Sequence, residues 1–219
     1  MNFIVKNTTI LNPLDLLAPH SCRGCGRLGD VLCDRCKNHI ISHHVPTQPA
    51  QKPKNFPPIF AIGKREGLLD LLIHDFKYNS VRAIGPKLAE LMSICLPELP
   101  MDAVIIPLPT ATSHIRARGL DHTLMLAKQL ARLRHLKVKR LLLREKNTIQ
   151  VGSNRQTRLA QANSAYSVNS KIEINPNTTY VLLDDVWTTG ASMQAAVKKL
   201  RQAGAHKIII ALLAISSLD

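Results

Sequence analysis

The sequence predicts an α/β protein built on a parallel sheet, with a small cysteine-rich module in front of it. Three observations lead there. Hydrophobic residues make up 45% of the 219 positions but aromatics only 4%, the aliphatic balance of strands that are buried on both faces. Residues 180–183, 192–202 and 207–215 read as strand, helix and strand, the helix ending before Gly204. That succession within one sheet gives a parallel βαβ unit. Four cysteines fall between positions 22 and 36, and Pro46, Pro49, Pro53, Pro57 and Pro58 follow. The expected division is therefore a cysteine module over residues 1–42, a proline-rich linker over 43–58, and one α/β domain over 59–219.

The middle of the chain supplies further elements. Leu69, Leu72, Ile73 and Phe76 recur at helical spacing, as do Ile84, Leu88, Leu91 and Cys95, so two amphipathic helices are expected. Residues 103–106 form a short aliphatic run that ends in Pro107 and Pro109. This reads as a buried strand opening into a loop that continues to about Asp121. Asp121 is then suited to cap a helix whose inner face carries Leu126, Leu130 and Leu133. Cys95 shares an apolar helical face, as a buried structural thiol does.

The first ten residues lack the basic start and long apolar core of a secretory signal. The longest apolar run, 208–215, is far shorter than the roughly 20 residues of a membrane span. A cytoplasmic protein with no membrane insertion is expected. The net charge is +14, and residues 101–160 alone carry +9 of it. Between positions 128 and 146, Lys128, Arg132, Arg134, Lys137, Lys139, Arg140, Arg144 and Lys146 are opposed only by Glu145. Such a concentration attracts polyanions, although a solvated face of a helix and the strand beyond it would carry the same residues.

The most specific chemistry lies in the run from Val181 to Ser192. Asp184 and Asp185 stand at the carboxyl end of a strand, where open parallel sheets bind ligands. Thr188, Thr189, Gly190, Ala191 and Ser192 follow with hydroxyls, a conformationally free residue and the first turn of a helix, which together suit a phosphomonoester. Two carboxylates repel phosphate, so they must address another part of the same ligand. A ribose diol fits, because carboxylates accept hydrogen bonds from vicinal hydroxyls.

Four strand residues, two acids, two further residues, Thr-Thr-Gly, a small residue and a hydroxyl residue resemble the type I phosphoribosyltransferase signature, with Trp187 where that signature has a small or aliphatic residue. The resemblance implies a parallel sheet flanked by helices that binds phosphoribosyl pyrophosphate with Mg²⁺. It also implies a reaction class: a nitrogen nucleophile displaces pyrophosphate from the anomeric carbon, with Asp184 and Asp185 orienting the sugar and stabilising charge that develops on it. Such proteins hold pyrophosphate in a loop after the first core strand. Pro107 and Leu108 match that place, and Arg116 and Arg118 lie in a loop suited to reach phosphate oxygens.

The order of these features, with the cysteines in front, resembles the ComF family, which includes competence proteins associated with DNA uptake and GntX-like proteins. Where that family has Arg-Gly-Phe-Asn-Gln, Arg118 and Gly119 match and Leu120, Asp121 and His122 differ. Gln150 and Arg158 match a later series before Ala165-Tyr166, whereas Asn147, Ser153 and Gln161 depart from it. The family association implies a role in natural transformation, with single-stranded DNA and proteins of the uptake machinery as partners. Lys128, Arg132, Arg134, Lys137, Lys139 and Arg140 are then candidates to track a DNA backbone, with Trp187, Tyr166 and Tyr78 as the aromatics available for stacking.

Cys22 and Cys25 are two residues apart, as are Cys33 and Cys36. Two such pairs can surround Zn²⁺ tetrahedrally in a structural site. Two disulfides would use the same residues, but a chain without a secretory signal is expected to stay reduced. Two functions from different classes remain open. One is a phosphoribosyl pyrophosphate-binding protein that handles DNA, and the other is an active phosphoribosyltransferase on an unidentified nitrogenous acceptor.

Overall fold

In a computed structural model of the chain, residues 20–44, 48–49, 52–79, 81–145 and 165–216 are described. Lys146 and the series from Asn147 to Gln161 lie outside them. The elements in chain order are α1 (Asp34–Ser42), β1 (Ile59–Lys64), α2 (Gly67–Tyr78), α3 (Ile84–Cys95), β2 (Val104–Pro107), α4 (Thr112–Arg118), α5 (His122–Arg134), β3 (Lys137–Val138), β4 (Leu142–Arg144), β5 (Tyr166–Val168), β6 (Thr179–Leu183), β7 (Val186–Trp187), α6 (Ala191–Gln202) and β8 (Lys207–Ile215). The strand order is β1-β8-β6-β2-β3, with β7 also on β8, and every pairing in this six-stranded sheet is parallel. β4 and β5 form a separate antiparallel hairpin.

The aliphatic runs are continuous because each strand has a core on both sides. Ile105, Val181, Leu183, Ala211 and Leu213 face one core, built with α2, α3 and α5. Val104, Ile106, Leu182, Ile210 and Leu212 face the other, built with α6 and the hairpin. Alternation along each strand thus divides one run of residues between two layers. The α/β class expected from composition is the class observed.

This layering also creates the crevice. β2 and β6 are neighbours, with Pro107 opposite Leu183 and the Leu108 N–H donating to the Leu183 carbonyl at 2.8 Å. Beyond β2 and the short α4, helix α5 packs in the first core, and α6, beyond β6 and β7, packs in the second. Adjacent strands whose helices leave to opposite faces open a gap at their carboxyl ends. Asp184 begins at that point.

Asp121 caps α5 as expected, accepting from the Leu124 N–H at 3.1 Å. Two expectations need correction. The segment after Pro109 is not loop as far as Asp121, because Thr112–Arg118 forms the short helix α4, which ends at Gly119. Seven residues are too few for periodicity to reveal a helix. Leu133 is 46% exposed instead of facing inward. The buried stripe of α5 runs through Thr123, Leu126, Ala127, Leu130 and Ala131, the i, i+3, i+4, i+7, i+8 spacing of a helix against a core.

The cysteine segment packs on this body. Cys22, Val31, Leu32 and Cys36 share the first core. Lys37 bridges Asp34 and Glu90, Lys87 reaches Asp30 and Arg23 reaches Asp75, tying the segment to α2 and α3. Farther on, Asn55 accepts from Arg201 of α6 at 2.9 Å and Phe56 meets the edge of Trp187. Among the described residues no helix is long and apolar enough to cross a membrane.

Candidate functional site

A cavity of about 400 Å³ lies at the carboxyl ends of β2 and β6. One wall is the segment from Asp184 to Met193, and the other runs from Leu108 to Ala111 and on to Arg118, His122 and Thr123. Helix α2 contributes Lys77 and Tyr78, and the β4–β5 hairpin contributes Arg144 and Tyr166.

The acidic pair is held by its own backbone. Asp184 Oδ1 accepts from the Asp185 N–H at 2.9 Å, and Asp185 Oδ1 accepts from the Val186 N–H at 2.6 Å. The Asp185 carbonyl receives the N–H groups of Leu213 and Ala214 on β8. Lys77 Nζ lies 2.7 Å from Asp185 Oδ2, with both side chains nearly dry. Asp184, set deep at the mouth of the strand, is pushed up to about 8, first by burial and then by the neighbouring Asp185 charge. Asp185 is therefore paired with Lys77, while burial and its neighbour's charge favour the protonated form of Asp184.

The loop that follows is shaped by Trp187, whose buried ring sits under Gly190. Gly190 has φ +73°, and a Cβ there would lie 2.1 Å from the indole Cζ2. No side chain caps α6, whose cap residue is Gly190. The Ala191 N–H reaches the Thr189 hydroxyl at 3.4 Å, and with Thr188 and Ser192 this turn lines the cavity, the chemistry of an anion cradle.

The predicted site residues separate in the structure. Asp184, Asp185, Thr188, Thr189, Gly190, Ala191, Ser192, Leu108 and Arg118 meet in the cavity. Pro107 belongs to the buried strand β2, and Arg116 is an exposed residue of α4 outside the cavity lining. Arg118 also stands on this helix, not in a loop, and its guanidinium lies 4.9 Å from the centre of the Tyr78 ring. Of the three aromatics named for stacking, Trp187 and Tyr166 are buried and Tyr78 is exposed.

Several lining residues carried no signal in the sequence reading. Lys77 sits in the last turn of an amphipathic helix with nothing to distinguish it from a solvated lysine. Arg144 read as one of many basic residues, yet it donates to the Tyr166 hydroxyl at 3.2 Å and to the Pro109 carbonyl at 3.4 Å, bridging the hairpin to the β2 loop. His122 is buried against the edge of Phe76, and its Nδ1 has no partner among the described residues. Burial, and then the Arg118 charge, lower its pKa.

The basic block divides as well. Lys128, Arg132, Lys137 and Arg140 are exposed and Lys139 is half-buried. Arg134 instead caps the end of α3, where its guanidinium donates to the carbonyls of Ser93, Leu96 and Pro97 and to the Ser93 hydroxyl. Its charge serves a helix terminus.

The four cysteines converge in the chain's other candidate site, with all sulfurs within 4.8 Å of one another and none in a disulfide. Tetrahedral Zn–S bonds of about 2.3 Å place sulfurs about 3.8 Å apart, and Cys25 and Cys33 are 3.7 Å apart. The Cys33 N–H points at the Cys22 sulfur, and a Cβ at Gly24 would meet the Cys36 sulfur at 2.7 Å. The cluster is thus compatible with a zinc site. Burial resists ionisation of Cys22, but the surrounding backbone amides outweigh it and bring the thiol down to about 6.

The sheet, the switch-point crevice and the acid-then-hydroxyl loop define a phosphoribosyltransferase-type domain, and residues 120–216 match the family described as phosphoribosyl transferase domain. Over 199 residues the chain is 26% identical to Competence protein F of Haemophilus influenzae, an alignment that covers 85% of this chain and 86% of that protein. The likeness supports the ComF-family resemblance read from the sequence.

Proposed function

We propose that the cavity binds phosphoribosyl pyrophosphate with Mg²⁺, and that the protein acts in DNA uptake during natural transformation by contacting single-stranded DNA through its basic face. The observation that carries the first part is the placement of Asp184 and Asp185 beside the amides and hydroxyls of the Thr188–Ser192 loop in one cavity wall. One end of that cavity addresses a diol and the other a phosphate. Leu108, Arg118 and Arg144 line the side toward β2, where a pyrophosphate would lie. Mg²⁺ would bring charge neutralisation for pyrophosphate, and the Asp184–Asp185 pair is suited to orient the sugar and its metal.

The second part rests on Lys128, Arg132, Lys137 and Arg140 presenting their charge to solvent and on the likeness to a competence protein. Zinc on Cys22, Cys25, Cys33 and Cys36 would be structural, because four thiolates leave no open coordination position. The division into residues 1–42, 43–58 and 59–219 is kept as the proposed domain organisation.

Calorimetric titration of the zinc-loaded protein with phosphoribosyl pyrophosphate and Mg²⁺, beside the Asp184→Asn/Asp185→Asn variant, tests the pocket. Binding by the wild type that the variant loses is the expected result, and no binding by the wild type would sink the reading. An active transferase on a nitrogenous acceptor is the alternative. Its signature is pyrophosphate release that depends on the added acceptor.

A further inference from the structure

We infer that Lys77 is a positioning residue of the phosphoribosyl site, and that Arg23 of the cysteine module holds the helix that delivers it; both statements rest on the ligand proposed above.

Helix α2 stands between the cysteine segment and the acidic loop. Asp75 and Lys77 are two positions apart, about 200° around a helix of 3.6 residues per turn, so they reach in opposite directions. Asp75 turns to the cysteine segment, where Arg23, between Cys22 and Gly24, places Nε 2.8 Å from its Oδ2. Lys77 turns to the sheet, where Nζ lies 2.7 Å from Asp185 Oδ2. Between them Phe76 packs into the first core and meets the His122 ring at 4.6 Å. One helix turn thus carries an ion pair on each side and an aromatic anchor in the middle.

The Lys77–Asp185 pair is withdrawn from water on both sides, whereas in the other pair Asp75 is buried and Arg23 stays 37% exposed. The Asp75 side chain is 6% exposed, and those of Lys77 and Asp185 are 12% and 15%. Asp75 is further fixed by the Asn79 amide on its Oδ1 at 2.6 Å and by the N–H groups of Asn79 and Val81 on its carbonyl, which fasten the end of α2. A poorly solvated pair costs most when one partner is removed, because the other charge is left without compensation. Exposed lysines of this chain, such as Lys128, carry no such constraint.

The consequence falls on Asp185. Its Oδ1 is taken by the Val186 N–H and its Oδ2 by Lys77. This carboxylate is held at a defined angle, and its charge is balanced beside Asp184. Without Lys77 two adjacent carboxylates would face each other with less compensation, and the side chain would be free to swing. A diol or a hydrated cation recognised by both acids requires their spacing to persist. Arg23 acts one step farther back, because the position of Lys77 depends on how α2 sits against the cysteine segment.

The test is titration of the full-length, zinc-loaded protein with phosphoribosyl pyrophosphate and Mg²⁺. Lys77→Met is expected to weaken binding by about tenfold or more, and Lys77→Arg, which keeps the charge, to recover most of it. In an Asp185→Asn background Lys77→Met should cost less than about twofold more, because residues that act through one another are not additive. Arg23→Gln should weaken binding about threefold or more while the chain retains one zinc and a cooperative unfolding transition. Wild-type affinity in Lys77→Met, or losses that multiply in the double variant, would overturn the assignment of Lys77. Wild-type affinity in Arg23→Gln would overturn the coupling. Failure of the wild type to bind would remove the ligand reading and this inference with it, an outcome distinct from those two.

Discussion

Trp187 and Gly190 are built around each other: a Cβ at position 190 would stand 2.1 Å from the indole Cζ2, 2.6 Å from Cε2 and 2.7 Å from Cη2. The ring cannot retreat easily, because it is buried in the second core and meets the edge of Phe56. Gly190→Ala therefore combines a φ of +73° with overpacking. It should destabilise the protein by about 2–4 kcal/mol and displace the anion loop. Chemical denaturation measures the first effect and phosphoribosyl pyrophosphate titration the second. Trp187→Ala in the Gly190→Ala background should restore part of the stability, since it removes the clash but leaves the backbone strain.

Arg134 belongs by sequence to the basic block and by structure to the end of α3. Arg134→Met leaves the carbonyls of Ser93, Leu96 and Pro97 without that donor and should cost about 2 kcal/mol in denaturant unfolding. Its single-stranded DNA affinity should remain within about twofold of the wild type. The triple variant Lys137→Glu/Lys139→Glu/Arg140→Glu should behave in the opposite way. Its stability should change little, while DNA affinity falls by about an order of magnitude or more and the salt dependence becomes shallower. Unchanged binding by this variant at fixed salt would rule out the proposed DNA face.

What the sequence disclosed follows from the range of each signal. The strands around Val181 and Ile210 and the helix over Met193, Ala196, Val197 and Leu200 were legible because burial imposes a period on consecutive residues. The loop from Asp184 to Ser192 was legible because its acids, hydroxyls and glycine point to one ligand chemistry. Lys77, His122, Arg144 and Tyr166 were not recognised as site residues, because tertiary packing brings them from separate elements and no local spacing marks them. The same limit explains Arg134, whose partners Ser93, Leu96 and Pro97 lie about forty positions earlier. Position in a basic run did not distinguish a capping arginine from an exposed one.

Asp184 gives a dependence on pH with a definite sign. Its carboxyl is raised from 3.8 to about 8, by burial first and by Asp185 second. Between those values the folded protein holds a proton that the unfolded chain releases, so stability falls as pH rises from about 4 toward 8. Asp184→Asn cannot ionise. It should be more stable than the wild type at pH 8 by on the order of 1 kcal/mol, a discounted figure because the carboxyl borders an open cavity. The difference should vanish near pH 4. Denaturation midpoints across this range decide the matter, and a variant no more stable at pH 8 would refute the raised pKa.

His122 should give the opposite slope from the facing wall of the same cavity. Burial is the first cause that lowers its pKa from 6.5, and the Arg118 charge is the second, while a hydrogen bond to the Phe76 backbone and the Asp185 charge act in the other direction. The folded state therefore prefers the neutral ring. Its Nδ1 has no hydrogen-bond partner among the described residues. For a base with a lowered folded-state pKa, stability is fully present above 6.5 and is lost as pH falls toward the folded value, because the unfolded chain takes up the proton first. His122→Gln removes that titration, so the variant should keep only the Asp184 fall in stability from about pH 4 toward 8, and its difference from the wild type below 6.5 isolates the histidine. Thermal unfolding followed from pH 5 to 8 in both proteins gives that difference. An acid limb equally steep in the variant would assign the proton uptake to another group.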